Sequence, residues 1–142
     1  VDVEHEIAEL SRTLQLLYRD KSPVIDWEIE PDLQFFGDRE DLLEMLGNLL
    51  ENAYKYCHQQ VHVIVTSRND TVKIRVDDDG SGIPARAESF IIKRGHRIDT
   101  QAEGQGLGLA IVSDIIVAYE GNIQLERGHL GGASFIIELP RH

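Results

Sequence analysis

The chain has 142 residues, of which 42% are hydrophobic and 27% charged, and its formal net charge is -11. This size and composition predict one globular domain spanning residues 1–142. An acidic surface repels nucleic-acid phosphates and anionic lipids, which argues against nucleic acid as a partner. The chain's one cysteine, Cys57, cannot form an internal disulfide, and no apolar run of about 20 residues predicts a membrane-spanning helix.

The N-terminal part of the chain predicts two helices separated by extended segments. Apolar residues recur at helical spacing over residues 3–19, and residues 24–30 alternate as a strand. Asp38 is the expected N-cap of the second helix, which we predict to end near Tyr56.

A hairpin is predicted next. Residues 61–65 and 72–76 carry the alternation of strands, and Asn69-Asp70 between them is favourable turn sequence. The pattern then breaks, and we expect a polar, glycine-containing loop over residues 93–106.

The C-terminal part predicts a third helix and two closing strands. The helix covers residues 107–119, with Gly121 as its expected C′ residue. Residues 123–126 and 133–139 are the closing strands. This order of elements predicts an α/β (α+β) two-layer sandwich, with the helices packed on one face of a mixed sheet.

The predicted second helix carries a polar stripe. Asn48, Asn52 and Lys55 recur at i, i+4 and i+7, on the side opposite the leucines. Asparagine is a mediocre helix former, so two of them at helical spacing indicate a role beyond helix propensity. An amide oxygen is a suitable ligand for Mg²⁺, and a nearby lysine can meet phosphate. The alternative interpretation is a solvated polar face.

An aspartate- and glycine-rich segment, residues 78–84, directly follows a strand. Gly80 and Gly82 allow a flat ligand to approach the backbone, and the Asp78 carboxylate can accept a hydrogen bond from an adenine amino group. A simple strand-ending turn is the alternative. An EF-hand calcium loop is excluded because its spaced ligands and closing glutamate are missing.

A second glycine-rich segment, residues 104–109, runs straight into the third helix. Glycines before a helix expose backbone N–H groups and the positive end of the helix dipole, which favours phosphate. A Rossmann motif would need a preceding strand and a tight βαβ unit, and here a polar loop precedes. A P-loop is excluded because no Gly-Lys-Ser/Thr closes the segment.

The order and spacing of these motifs resemble the GHKL ATPases, which share the Bergerat ATP-binding fold, and within them the catalytic domain of bacterial sensor histidine kinases. The resemblance implies a mixed, mostly antiparallel sheet packed on three helices. Its N box is similar to residues 48–56, its glycine boxes to 78–82 and 104–109, and its final glycine motif to 131–135. Residues 52–57, 94–100 and 104–106 are most similar to PhoQ-type sensor kinases.

The resemblance implies roles for the N box. Asn52 would be the Mg²⁺ ligand, and Asn48 would support the metal and phosphates one turn earlier. Lys55 would reach the phosphates, and Tyr56 would line the nucleotide. Asn48 and Lys55, with Arg97 of the lid, would be the catalytic residues.

The resemblance also implies roles for the glycine boxes and the lid between them. Asp78 would read the adenine amino group, and the adjoining segment would contact the base. The further nucleotide-binding positions implied are Gly80, Gly82, Ile83, Arg94, Arg97, Gly104, Gln105, Gly106, Leu107 and Gly108. For the two arginines the alternative is surface solubility. PhoQ-type lids carry a further basic residue where this chain has Gln101-Ala102-Glu103, so Arg97 and Lys55 would hold the γ-phosphate alone or less tightly.

The implied reaction is transfer of the γ-phosphoryl group of Mg-ATP to a histidine. Hydrolytic GHKL members place a glutamate base one helical turn before the metal-binding asparagine, and this chain has Asn48 there, whose amide cannot accept a proton. The alternatives are a GHKL-type serine kinase of the anti-sigma-factor kind and a degenerate nucleotide-binding interaction module.

The resemblance further implies partners and a location. The expected partners are the phosphoacceptor helical hairpin of the same kinase and a cognate response regulator. The isolated domain is expected to be monomeric, and to be the cytoplasmic part of a bacterial inner-membrane protein whose sensor and phosphoacceptor domains lie outside residues 1–142.

Some histidines could indicate a phosphoacceptor or a metal site, but the sequence argues against both interpretations. His5-Glu6 mimics a phosphoacceptor pair but lacks the following proline, and no helical hairpin fits before the N box. His58 and His62 straddle a predicted helix end and strand start, so they would not share a helical face. His129 and His142 are expected at the surface.

Overall fold

The computed structural model describes residues 2–20, 23–35, 37–80, 92–93, 96–97 and 107–140. In chain order its elements are α1 (Val3–Leu17), β1 (Val24–Ile29), α2 (Arg39–Tyr56), β2 (Gln60–Arg68), β3 (Thr71–Asp78), β4 (Ile92–Lys93), β5 (His96–Arg97), α3 (Leu107–Ala118), β6 (Asn122–Arg127) and β7 (Ala133–Pro140). The three predicted helices are confirmed. None of the helices in these ranges is long and apolar enough to cross a lipid bilayer.

The strands form one mixed sheet in the order β1-β2-β3-β7-β6-β4-β5. Only β1 and β2 run parallel; the other neighbours are antiparallel. The prediction of a mixed, mostly antiparallel sheet is confirmed. The prediction of a polar loop over residues 93–106 is wrong at Lys93 and His96–Arg97, because β4 pairs with β5, and Ile92 of β4 also pairs with Ile123 of β6. Strands of two residues are too short to show alternation in a sequence.

One face of the sheet and the helices enclose the core. Alternate residues of β2 and β3 are buried, as period-two alternation requires, and α2 buries its leucine face against them. The central buried side chains are Leu42, Leu46, Leu49, Leu50, Val61, Val63, Val65, Ile74 and Val76. The opposite face of the sheet carries the intervening polar residues, including His62 and Asp77.

The helix ends show which local predictions hold. Asp38 caps α2 as predicted, since its Oδ1 accepts a hydrogen bond from the Glu40 N–H at 2.7 Å. At the end of α3 the prediction of Gly121 as C′ is wrong by one residue. Glu120 has the positive φ of 56°, and the Gly121 N–H donates to Ile116 O at 2.9 Å, so Gly121 is C″ of a Schellman motif. Gly121 is needed for packing instead, because a Cβ there would lie 2.5 Å from Glu138 O.

Gly47→Ala should stabilise the fold by about 0.5–1 kcal/mol, because glycine inside a helix costs backbone entropy that alanine does not. Gly47 lies in the middle of α2, and a Cβ there would meet only Leu10 Cδ2, at an ordinary 3.8 Å. Thermal unfolding followed by circular dichroism measures the change. A lower melting temperature would mean that α1 and α2 pack more closely than this distance indicates.

Candidate functional site

The polar stripe of α2 lies at the rim of the helix layer. Asn48 and Asn52 are half-buried and Lys55 is exposed, so the two asparagines flank the leucine face instead of lying opposite it as predicted. The Asn48 side chain donates from Nδ2 to Glu44 O at 2.6 Å, which leaves its amide oxygen as the atom available to a ligand. Lys55 Nζ lies 5.5 Å from the centre of the Tyr56 ring, which is 41% exposed.

Asp78, the last residue of β3, is a buried carboxylate with 3% of its surface exposed. Its Oδ1 accepts hydrogen bonds from the Gly80 N–H at 2.9 Å and from the Ala133 N–H at 3.3 Å. Burial raises the pKa of Asp78; these two hydrogen bonds oppose the rise, and the neighbouring Asp79 and Asp77 add to it. Within the described part of the chain both bonds end on Oδ1, so Oδ2 is the oxygen that can accept from a ligand.

Two glycines bring the predicted motifs together. A Cβ on Gly80 would overlap the carbonyl oxygen of Tyr56, so the described part of the first glycine box, residues 78–80, lies against the C-terminal end of α2. A Cβ on Gly132 would overlap both the carbonyl oxygen and Oδ1 of Asp78. The N box, the first glycine box and the final glycine motif therefore meet around one buried carboxylate.

Asp79 is a supporting residue to which none of the sequence motifs assigns a role. Its carboxylate accepts hydrogen bonds from the backbone N–H groups of His58 at 2.8 Å and of Gln59 and Gln60 at 3.1 Å. Burial favours a higher pKa for Asp79, but the three N–H donors outweigh it and hold the pKa below its ordinary value. Asp79 thereby ties the α2–β2 connection to the end of β3. Its partners lie 19–21 residues away, so no local pattern could have revealed them.

Asp79→Ala should lower the free energy of unfolding by about 1.5–3 kcal/mol, the range for losing a hydrogen bond to a charged group. Because the folded pKa is lowered, this contribution is present above the ordinary pKa of 3.8 and is lost as the pH falls through the folded pKa. Urea unfolding at neutral pH and in acid measures both effects. Asp26→Ala, at an exposed position of β1, is the matched control. Equal losses in the two variants would contradict the role of Asp79.

Part of the predicted site falls outside the described ranges or is located only by its element. Arg97 belongs to β5, and Leu107 and Gly108 begin α3. The predicted residues outside the described ranges are Gly82, Ile83, Arg94, Gly104, Gln105 and Gly106, together with Gln101, Ala102 and Glu103 of the lid. The roles assigned to all of them stay predictions.

The described residues match the chemistry of a magnesium nucleotide. Asn48 and Asn52 lie one helical turn apart, and the amide oxygen of asparagine is a ligand that Mg²⁺ accepts. Lys55 supplies a cation on a chain of net negative charge, and Asp78 supplies a buried hydrogen-bond acceptor. The arrangement can therefore bind a base through hydrogen bonding and an anionic tail through a metal and a lysine.

Comparison with known proteins also indicates an ATP-binding domain. Residues 37–142 match the family described as histidine kinase-, DNA gyrase B-, and HSP90-like ATPase. The chain is 42% identical over 139 residues to the sensor protein kinase CarS of Pseudomonas aeruginosa, covering 98% of this chain and 31% of CarS. It is 43% identical over 131 residues to the two-component sensor PhoQ of the same organism, covering 92% of this chain and 29% of PhoQ. The chain thus spans less than a third of either relative.

The fold is also similar to a solved structure. Full-length ShkA in complex with AMPPNP superposes with a TM-score of 0.78 at 28% sequence identity, covering 99% of this chain and 30% of ShkA. The predicted sandwich and the predicted similarity to PhoQ-type sensor kinases are both confirmed.

Proposed function

Because the chain belongs to the family of histidine kinase-, DNA gyrase B- and HSP90-like ATPases, we propose that it binds Mg-ATP and transfers the γ-phosphoryl group to a histidine. The acceptor histidine belongs to the phosphoacceptor helical hairpin of the same sensor kinase. The observation that carries the proposal is the buried Asp78 carboxylate. Two backbone N–H groups donate to its Oδ1, which leaves Oδ2 to accept a hydrogen bond from a ligand. The similarity to sensor kinases supplies the reaction class.

The adenine is recognised at Asp78. Its Oδ2 accepts a hydrogen bond from the exocyclic amino group, and Gly80, which has no Cβ, allows the Tyr56 carbonyl at the end of α2 to pack beside this carboxylate. A buried hydrogen-bond acceptor discriminates strongly against a base that presents a carbonyl there, because two acceptors would face each other. ATP is therefore the expected substrate in preference to GTP.

The phosphates lie along the rim of α2. Asn52 and Asn48 would hold Mg²⁺, which neutralises phosphate charge when bound, and Lys55 meets the phosphates directly. Tyr119 at the end of α3 donates to Asp41 at 2.7 Å and accepts from the Asp38 N–H at 3.0 Å, near the start of α2. The two helices also pack along each other. We infer that the first turn of α3 points toward the C-terminal half of α2, where its N–H groups can meet phosphate.

The chemical step is a displacement at the γ-phosphorus. An imidazole nitrogen of the partner hairpin forms the new bond to phosphorus, the bond to the β,γ-bridging oxygen breaks, and ADP leaves with that electron pair. The groups on this chain position the nucleotide and stabilise charge, and none of them forms a covalent bond. Asn48 stands where a hydrolytic relative would have its base, so activation of water is not expected from that position.

Calorimetric titration of ATP into the domain, with Mg²⁺ and then with EDTA, tests the binding proposal. Saturable binding that weakens without Mg²⁺ and favours ATP over GTP is the expected result. No binding at millimolar ATP would overturn the proposal and favour a degenerate interaction module. Labelling of the separately expressed hairpin of the parent kinase then tests transfer, since phosphohistidine is acid-labile and phosphoserine is not.

The choice between transfer and hydrolysis is tested by Asn48→Glu. If position 48 determines the outcome, the glutamate variant should bind ATP and release more inorganic phosphate than the wild-type chain, because a carboxylate can take a proton from water. Unchanged hydrolysis with intact ATP binding would mean that Asn48 does not decide between the two reactions. Asn48→Asp, whose shorter side chain carries the same charge, controls for charge alone.

We also propose the setting in which the domain acts. Residues 1–142 form one catalytic domain of a longer sensor kinase, located in the cytoplasm of a bacterium beneath an inner-membrane sensor, with a response regulator as the final phosphoryl acceptor. The isolated domain is a monomer in this proposal. Sedimentation at micromolar concentration tests that point, and a stable dimer would contradict it.

A further inference from the structure

Two histidines and a carboxylate meet on the face of the sheet away from the helices. His62 lies on β2, Asp77 is its cross-strand partner on β3, and His129 lies in the β6–β7 connection. One nitrogen or oxygen from each residue lies within 4.8 Å of those of the other two. The Asp77 side chain is fully buried, that of His62 is 19% exposed and that of His129 is 50% exposed. We propose that this cluster binds a divalent transition-metal ion such as Zn²⁺.

The spacing of the two imidazoles suits such an ion. His62 Nδ1 and His129 Nε2 are 3.4 Å apart. Two nitrogens bound to tetrahedral zinc, at about 2.0–2.1 Å each, lie about 3.3 Å from each other. The ion therefore fits between these two nitrogens with little movement of either ring, and imidazole is a ligand that zinc, copper and nickel share.

The far nitrogen of each ring faces a carboxylate. His129 Nδ1 lies 3.0 Å from Asp77 Oδ2, and His62 Nε2 lies 3.7 Å from Glu28 Oε2. Metal-binding histidines commonly donate their second N–H to a carboxylate, which orients the ring and makes the other nitrogen a better ligand. Asp77 and Glu28 are thus positioning residues for the two imidazole rings.

The residues around Asp77 hold its carboxylate in place, and one of them can bond to a water molecule on the metal ion. Arg75 Nε donates to both carboxylate oxygens of Asp77, at 3.1–3.2 Å, which restricts the orientation of the carboxylate. A Cβ on Gly128 would lie 3.1 Å from Asp77 Oδ1, so the connection that carries His129 closes over Asp77. Ser134, the partner of Asp77 on β7, is fully buried, and its hydroxyl has no hydrogen-bond partner within the described part of the chain. That hydroxyl can bond to a water on the ion.

The metal cluster and the proposed nucleotide site are on opposite faces of the sheet. Asp77 and Asp78 are consecutive residues of β3, and consecutive side chains of a strand point to opposite faces. The Zn²⁺ site can therefore be measured without nucleotide, and its failure would leave the proposal of ATP binding untouched.

Titration of Zn²⁺ into the nucleotide-free domain, by calorimetry and by NMR of the histidine rings, tests the site. The expected result is one ion per chain, reversed by EDTA, with the ring signals of His62 and His129 shifting together. His62→Ala and His129→Ala should each weaken binding by at least about tenfold, and Asp77→Asn by about ten- to a hundredfold, the usual cost of losing a supporting carboxylate.

His5→Ala is the matched control, since His5 is an exposed histidine of α1 far from the cluster in sequence. It should bind Zn²⁺ with unchanged affinity. Circular dichroism of every variant checks that the fold is retained, and the double variant His62→Ala/His129→Ala removes both ligands without touching the buried Asp77. Wild-type affinity in that double variant, or no saturable binding by the wild-type chain, would overturn the proposal.

Discussion

Asp78→Asn should weaken ATP binding by about ten- to a hundredfold, the equivalent of losing a hydrogen bond to a charged group. The asparagine oxygen can still accept from Gly80 and Ala133, which leaves its NH₂ group where Oδ2 stood. That group would then face the adenine amino group, donor against donor. The loss therefore includes both the missing hydrogen bond and the burial of unsatisfied donors.

The same substitution should leave the fold at least as stable. Burial raises the pKa of Asp78, so ionising this carboxylate costs more in the folded chain than in the unfolded chain. The folded state binds the proton more tightly, so the stability of the wild-type chain falls as the pH rises from 3.8, the ordinary pKa, through the raised folded pKa. Asparagine has no charge to desolvate, so its advantage grows as the pH rises through the folded pKa of Asp78 and is absent in acid.

Calorimetric titration with ATP and thermal unfolding at neutral and acidic pH measure the two effects together. Asp26→Asn, an exposed carboxylate of β1, should change neither binding nor stability appreciably. Retained ATP affinity in Asp78→Asn would contradict the assignment of adenine recognition to Asp78. Reduced stability at neutral pH would mean instead that the charge itself is needed to hold Gly80 and Ala133.

Gly132→Ala should both destabilise the fold, by about 1–3 kcal/mol, and impair ATP binding. A Cβ at this position would overlap the carbonyl oxygen and Oδ1 of Asp78 and would lie 2.5 Å from Gly80 N. These are backbone atoms and a buried carboxylate, none of which can move aside cheaply. The added methyl group must therefore displace Asp78 from the position in which it meets the base.

Gly131→Ala separates strain from displacement. Gly131 has a φ of 94°, which disfavours alanine, but a Cβ there would meet nothing within 4 Å. Gly131→Ala should lower the free energy of unfolding by about 1–2 kcal/mol, similar to the effect of Gly132→Ala. Asp78 should stay in place, so ATP binding should be preserved. Calorimetry and thermal unfolding on the two variants make the comparison. Equal ATP affinities would show that contact with Gly132 does not position Asp78.

The sequence by itself predicted the elements whose pattern repeats along the chain. The helical spacing of the leucines in α2, the alternation in β2 and β3, and the cap at Asp38 are local regularities, and the structure confirms each of them. The glycine boxes and the N box also identified the family, because their order is a property of the chain alone. The prediction for Gly121 was wrong because the exact end of α3 depends on the conformation of Glu120. The prediction for residues 93–106 was wrong at β4 and β5 because strands of two residues form only by pairing with other segments.

Only the tertiary structure decided which side chains meet. Asp79 accepts hydrogen bonds from backbone N–H groups that lie 19–21 residues earlier in the chain, in the α2–β2 connection. His62 contacts His129, which is 67 residues away in the sequence. His129 is exposed, as predicted, but its contact with His62 was not predicted, because strand order and register determine which of these residues meet. Burial of Asp78 likewise depends on β7 and on Gly132. Periodicity reports which face of an element is apolar, but contacts between distant segments arise only when those faces are packed together.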